Sequence, residues 1–379
     1  MRIRGAVIRT PTDQRPYTST QPVGIEELEL DPPGPGEVLV KIGGAGICHS
    51  DLSVVNGARA RLLPMLLGHE GSGEIAELGA GVNDVSVGDH IVFQFTPSCG
   101  RCRRCLEGRP QVCELAASTK GEGKLMSGER RLRDLDGEPV NHQGGVSCYA
   151  EYAVVDRGSV VVIDKSLPLH EAAIFGCAVM TGAGAVINTA RIRPGDTVAI
   201  VGLGGVGLCG LLGAVLGGAE TIVAVDLSDE KLGLARQLGA THTVNASDAN
   251  HVEQVRDITR GGADFAFDLA GTIKAMETAY AVTRYGGSVV TAGLSPSDAK
   301  FSFLQGDLVS QEKSIRGSYM GSCVPVRDIP RFISLYQQGR LPVDRLLDRT
   351  IGFDEVNHAF DRLEDVATVR QILVPHGVH

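Results

Sequence analysis

Residues 99–113 read CGRCRRCLEGRPQVC, placing Cys99, Cys102, Cys105 and Cys113 at the spacing C-x2-C-x2-C-x7-C. Two-residue gaps let successive thiolates turn toward one centre, and the longer arm brings in a fourth. Four thiolates make a closed tetrahedral site that suits structural zinc and has no open position for catalysis. Closely spaced cysteines also hold iron–sulfur clusters, which this spacing does not exclude. Nothing else in the chain points to electron transfer, so zinc is the reading. Disulfides are disfavoured: the opening MRIRGAVIRT has no apolar core of signal-peptide length, and the expected compartment is the reducing cytoplasm.

A second set is dispersed. GICHSDL holds Cys48, His49, Ser50 and Asp51, LLGHEGSGEI holds His69 and Glu70, and IFGCAVMTG holds Cys177. Cys, His and Cys supply three ligands and leave a fourth tetrahedral position open, the pattern of a catalytic zinc that polarises an alcohol oxygen. A lone His or Cys in an apolar stretch is more often plain core, so spacing by itself leaves this set open.

A third motif concerns a dinucleotide. GLGGVG at 202–207 follows an apolar strand, opens a helix, and is followed 19 residues after Gly207 by Asp226 at the end of the next strand. Gly202 permits the tight turn, Gly204 lets a pyrophosphate reach the backbone at the helix N-terminus, and Gly207 lets helix and strand pack closely. Gly205 and Val206 complete the turn. Asp226 accepts hydrogen bonds from the adenosine ribose and repels a 2′-phosphate, which favours NAD over NADP.

These groups need two kinds of scaffold. At 379 residues, with 43% hydrophobic and 21% charged residues, the chain is long enough for two domains. The net charge of −9 argues against a nucleic-acid partner. The stretch 197–219 carries no charge and resembles a membrane span in length. Its eight glycines instead predict a buried strand, turn and helix, and no membrane association is expected. Up to about residue 178 the chain reads as β-rich, with runs such as GEVLVKIGGAGIC bounded by turn residues. From about 197, strands alternate with helices, which predicts a doubly wound parallel sheet and an α/β fold. The polar segment 120–142 reads as a long surface loop, either a plain solvated excursion or a lid or interface piece. After about 320, two helices and the strand VRQILV are expected to return to the first domain.

Taken together, GICHSD, GHEGSGEI, the four-cysteine lobe at about 97–115, GLGGVG with VDLSDEK, and VRQILV resemble the zinc-dependent medium-chain alcohol dehydrogenases over essentially the whole length. The resemblance implies a GroES-like catalytic domain (1–178 and 320–379) and a Rossmann NAD-binding domain (179–319). It implies two zinc ions per chain. Cys48, His69 and Cys177 would hold the catalytic one, with Glu70 behind the metal and Asp51 orienting the His69 ring; the lobe cysteines would hold the structural one. Ser50 matches the hydroxyl that passes on the alcohol's proton. Lys231 would assist Asp226 at the ribose, and His49 and Arg370 would meet the pyrophosphate. Val206 and Thr181 would pack on the nicotinamide, with Ala292 and Leu294 also at the cofactor. Phe95, Gln143 and Gly144 would line the alcohol pocket.

The chain departs from the family pattern in two places. Ser53 stands where many relatives carry a histidine that hands the proton to solvent. Arg59 and Ala117 stand where the glutathione-adduct branch carries an acid and an arginine, which counts against S-hydroxymethylglutathione as substrate. The expected activity is NAD-dependent interconversion of an alcohol, with room for a bulky or aromatic one at Gln143 and Gly144, and its aldehyde or ketone. The alternatives are a dehydrogenase of a thiol adduct of formaldehyde and a non-catalytic NAD-binding zinc protein. A homodimer joined near SVVTAGL and KSIRGSYMGS is expected.

Overall fold

A computed structural model describes residues 1–365 and 368–377. It divides the chain into Met1–Cys177, Val324–Arg331 and Asp344–His379 as one unit, and Ala178–Cys323 and Phe332–Val343 as the other. The end of the helix Pro325–Gln337 and the stretch after it therefore belong to the second unit. The return to the first unit expected after 320 thus holds for Val324–Arg331 and Asp344–His379 and not for Phe332–Val343 between them.

The first unit is built from β-strands. Arg2–Ile8, Val23–Leu30, Leu132–Arg133, Pro139–His142 and Met65–Leu66 close a small barrel. A larger sheet centres on Glu37–Gly46, which pairs antiparallel with Gly71–Leu78, Tyr152–Asp156 and the terminal Arg370–Leu373. Alternation sets its core: Val38, Val40 and Ile42 point inward onto Ile75, Ile91 and Phe93, all fully buried.

The segment 120–142 is not a free loop. Two short pieces of it are barrel strands, and its charges are anchors. Arg131 Nε donates to the buried Glu37 carboxylate at 2.8 Å and Ser127 Oγ donates to it at 2.7 Å, while Arg130 reaches Asn141 at 2.9 Å. A buried acid needs such partners, so polar residues that read as solvated are spent on holding the segment down.

The second unit carries a six-stranded parallel sheet in the order His242–Asn245, Thr221–Asp226, Thr197–Val201, Ala263–Asp268, Thr283–Thr291, Ser314–Gly317. Near-continuous apolar runs such as TVAIV and TIVAV suit strands covered on both faces. The stretch 197–219 resolves into the strand Thr197–Val201, a turn and the helix Gly205–Leu216. Among the described residues no single helix is long and apolar enough to cross a membrane. Ser314–Gly317 forms the sheet edge, whereas SVVTAGL leads out of an interior strand, so only the second of the two segments expected at the edge lies there.

Candidate active site

The four lobe cysteines sit on short elements. Cys102 precedes the helix Arg103–Leu106, which carries Cys105, and Cys113 precedes the helix Glu114–Gly121. Their sulfurs converge: Cys102 lies 3.5 Å from Cys105 and 3.9 Å from Cys113, and Cys99 lies 4.0 Å from Cys105. All are free thiols. A tetrahedral zinc with Zn–S bonds of about 2.3 Å sets sulfurs about 3.8 Å apart, so the lobe fits the ion. The backbone N–H groups of Cys102 and Cys99 point at the sulfurs of Cys99 (3.3 Å) and Cys113 (3.4 Å). The N–H groups of Cys105 and Glu114 draw the Cys102 thiol down to about 6, while burial and the neighbouring Cys102 push Cys105 up to about 12. Four thiolates in one place oppose one another until a cation neutralises them.

The dispersed set also comes together. Cys48 follows the strand Glu37–Gly46 and caps the helix His49–Val55, His69 precedes the strand Gly71–Leu78, and Cys177 follows a short 3-10 turn. Their donor atoms all lie within 4.8 Å of one another, and all three residues are buried. His69 Nδ1 lies 2.8 Å from Asp51 Oδ1, which assigns the ring proton to Nδ1. Nε2 is buried and makes no hydrogen bond among the described residues. A buried nitrogen lone pair beside two thiols is the environment a metal ion satisfies. Burial pushes the His69 imidazolium down, but Asp51 and the Cys48 thiol reverse this and raise it well above its ordinary range, so a cation at Nε2 would take the place of a second ring proton. Pairing with Cys177 draws Cys48 well down, and the same pairing pushes Cys177 well up.

The surrounding charges are fixed. Asp51 Oδ2 accepts the Cys48 N–H at 3.2 Å and the Tyr149 hydroxyl lies 2.7 Å away. Glu70 Oε1 lies 3.5 Å from Arg370 Nη1, which donates to the Ile47 carbonyl at 2.9 Å. Arg370 is thus a buried cation tied to Glu70 beside the cluster, and His49 is an exposed residue in the first turn of its helix. Ser50 is half-buried in that turn, where Cys48, not Ser50, is the cap. Ser53 Oγ donates back to the Ser50 carbonyl at 2.9 Å, so its hydrogen is committed to the helix.

Phe95 stands edge-on to the His69 ring, centroids 5.0 Å apart and planes at 89°. Gly144 lies beside it with φ +61°; a Cβ there would meet Phe95 Cβ at 3.3 Å and His69 Cβ at 3.7 Å. Gln143 is buried, with Oε1 accepting the Gly68 N–H at 2.5 Å, so its side chain braces the chain before His69. Sequence reasoning missed two neighbours. Lys120 Nζ sits 5.1 Å over the Phe95 ring and 3.2 Å from Thr96 Oγ1. Tyr149, in the stretch CYAEY, reaches Asp51 from 98 residues away.

In the second unit the glycine turn takes the shape its spacing predicts. Gly202 has φ +91° with Ala270 against it, a Cβ on Gly207 would fall 1.8 Å from the Gly202 carbonyl, and Gly204 faces open space. The open side lies at the N-terminus of Gly205–Leu216, where a phosphate fits. Asp226 accepts the N–H groups of Leu203 at 2.6 Å and Ser228 at 2.9 Å, which fixes its carboxylate beside the turn. Lys231 lies one turn into the following helix, Asp229–Gln237. Thr181 is half-buried on the helix Ala178–Gly184, which packs through Gly182 on the Val206 carbonyl. The Ala292 N–H donates to the Asp268 carbonyl at 3.1 Å, and Leu294 is exposed.

The parallel sheet with its glycine turn, the β-rich unit and the two sulfur-rich clusters together define a zinc-binding dehydrogenase. Residues 34–165 match the alcohol dehydrogenase GroES-like domain and residues 205–338 the zinc-binding dehydrogenase domain. A Mycobacterium tuberculosis protein provisionally named alcohol dehydrogenase D is 40% identical over 362 residues, covering 94% of this chain and 98% of that protein. The S-(hydroxymethyl)glutathione dehydrogenase of Paracoccus denitrificans is 34% identical over 363 residues, 93% of this chain and 96% of that one. The crystal structure of benzyl alcohol dehydrogenase from Acinetobacter calcoaceticus superposes with a TM-score of 0.90 at 33% identity, covering 99% of both chains. The chain belongs to the zinc-dependent medium-chain alcohol dehydrogenase family, and its chemistry is that of an alcohol dehydrogenase.

Proposed function

We propose that this protein is an NAD-dependent alcohol dehydrogenase with two zinc ions per chain, acting on a bulky or aromatic alcohol in the cytoplasm. The observation that carries the reading is the convergence of Cys48, His69 and Cys177, with the buried His69 Nε2 making no hydrogen bond among the described residues. These three would hold the catalytic ion and the lobe cysteines the structural one. A bound zinc supplies Lewis-acid polarisation of the alcohol oxygen, and bound NAD accepts the hydride. Asp51 keeps the His69 proton on Nδ1. Ser50 Oγ receives the alcohol proton. As a hydroxyl, Ser50 would accept that proton only while passing its own hydrogen on; the Ser53 hydrogen is engaged with the Ser50 carbonyl, so the hydrogen Ser50 gives up would go to water. Asp226, with both oxygens fixed beside the glycine turn, selects a ribose over a 2′-phosphate.

The absence of a side chain at Gly144, beside the edge-on Phe95, supports a wide pocket wall, and the likeness to benzyl alcohol dehydrogenase accords with it. The glutathione-adduct reading draws on the relatives that bear that name; Arg59 and Ala117 count against it. The test is reduction of NAD, read by nicotinamide absorbance, over short aliphatic, long aliphatic, aromatic and terpenoid alcohols and S-hydroxymethylglutathione, with NADP in parallel. The expected result is turnover with NAD that favours large alcohols over ethanol. Turnover confined to the glutathione adduct, or preference for NADP, would contradict it.

A further inference from the structure

The buried phenol of Tyr149 is not accounted for by any of the metal or cofactor motifs. Its side chain is fully buried. The oxygen lies 2.7 Å from Asp51 Oδ2 and 2.8 Å from the Gly46 carbonyl. Asp51 is likewise fully buried and faces His69 Nδ1 with its other oxygen at 2.8 Å. The phenol has one hydrogen and two acceptors within reach. The charged one holds it more strongly, since a charge-assisted hydrogen bond is about twice as strong as a neutral one. Burial and the Asp51 carboxylate both push the phenol well above its ordinary range, so it stays a donor.

Without that bond, Asp51 Oδ2 keeps, among the described residues, only the Cys48 N–H at 3.2 Å. A carboxylate held at both oxygens has a fixed plane; held firmly at one, it can rotate about its Cβ–Cγ bond. The plane of Asp51 sets the plane of the His69 ring, and the ring sets where Nε2 points.

We propose that Tyr149 is a positioning residue for the catalytic metal site: the chain Tyr149 Oη–Asp51–His69 fixes the histidine with Nε2 directed toward Cys48 and Cys177. The proposal rests on the zinc reading above. Partners that orient metal-bound histidines typically change metal affinity by about 10- to 100-fold when removed. Tyr149 stands one bond further out, so an effect near the lower end, about tenfold, is expected.

The test follows zinc transfer to a chromophoric chelator from the wild-type protein, Tyr149→Phe, Asp51→Asn and the double variant. Tyr149→Phe removes one oxygen and keeps the ring in place. The expected result is two zinc ions per chain in the wild type, with one lost about tenfold more readily in Tyr149→Phe and the lobe ion unchanged. Asp51→Asn should weaken the same ion further, and adding Tyr149→Phe to it should change nothing more. Unchanged release from Tyr149→Phe overturns the proposal, as does an additive effect in the Asp51→Asn background, which would make Tyr149 a packing residue. Should Tyr149→Phe not fold, 3-fluorotyrosine placed at 149, a stronger donor of nearly the same shape, should slow release of that ion; unchanged release overturns the proposal. A wild type that holds one zinc overturns the zinc reading itself, and the proposal with it.

Discussion

His142 illustrates what a single side chain does in this fold. It is buried in the barrel strand Pro139–His142, and its Nε2 accepts the Arg131 N–H at 3.1 Å. Burial, with the Arg130 and Arg131 charges, pushes it from 6.5 down to about 3. The folded state therefore keeps it neutral while the unfolded chain takes up a proton below about pH 6.5, so the contribution is present above that pH and erodes on acidification toward 3. Linkage makes the loss about 2 kcal/mol between pH 7 and 5. Chemical unfolding of His142→Gln at these two pH values should show a smaller acid destabilisation than the wild type by about that amount. An unchanged difference would mean that His142 is not what the acid protonates. The convergence of Cys48, His69 and Cys177 was legible because a family pattern groups them, whereas the surroundings of His142 and Tyr149 were not. Their surroundings come from residues distant in the chain, and no local spacing encodes a phenol 98 residues from its carboxylate.

Elements repeat that division. The strand–turn–helix around GLGGVG was readable because its rules are local: a positive-φ glycine, an apolar strand before it and an acid at the end of the next one. The barrel strands within 120–142 were not readable. They span two and four residues, too short for alternation to register, and their fixing charges pair with Glu37 in a distant strand. Among the described residues, the edge strand Ser314–Gly317 leaves one side of its hydrogen-bonding ladder unpaired. Exposed Leu304, Val309 and Phe303 come from the segment just before it in sequence. An open strand edge invites pairing, and we propose that two copies join there as a homodimer. Sedimentation equilibrium should give twice the chain mass of 39.9 kDa; a monomer at micromolar concentration would contradict it.

At the scale of the molecule, one unit gathers the metal donors and the other the dinucleotide turn, each from elements the chain supplies in order. The two sulfur-rich clusters differ in the way their proposed roles require. The lobe offers four sulfurs that would fill a tetrahedral ion's positions, whereas Cys48, His69 and Cys177 offer three donors and would leave a fourth position for the alcohol. A protein that kept zinc only for structure would need the first and not the second. The measurement that separates these is the zinc content of the purified protein by mass spectrometry, counted per chain. The account predicts two ions, falling to one in His69→Ala with the lobe ion retained. A single ion in the wild type, unaffected by His69→Ala, would contradict it and leave a dinucleotide-binding protein without its catalytic metal.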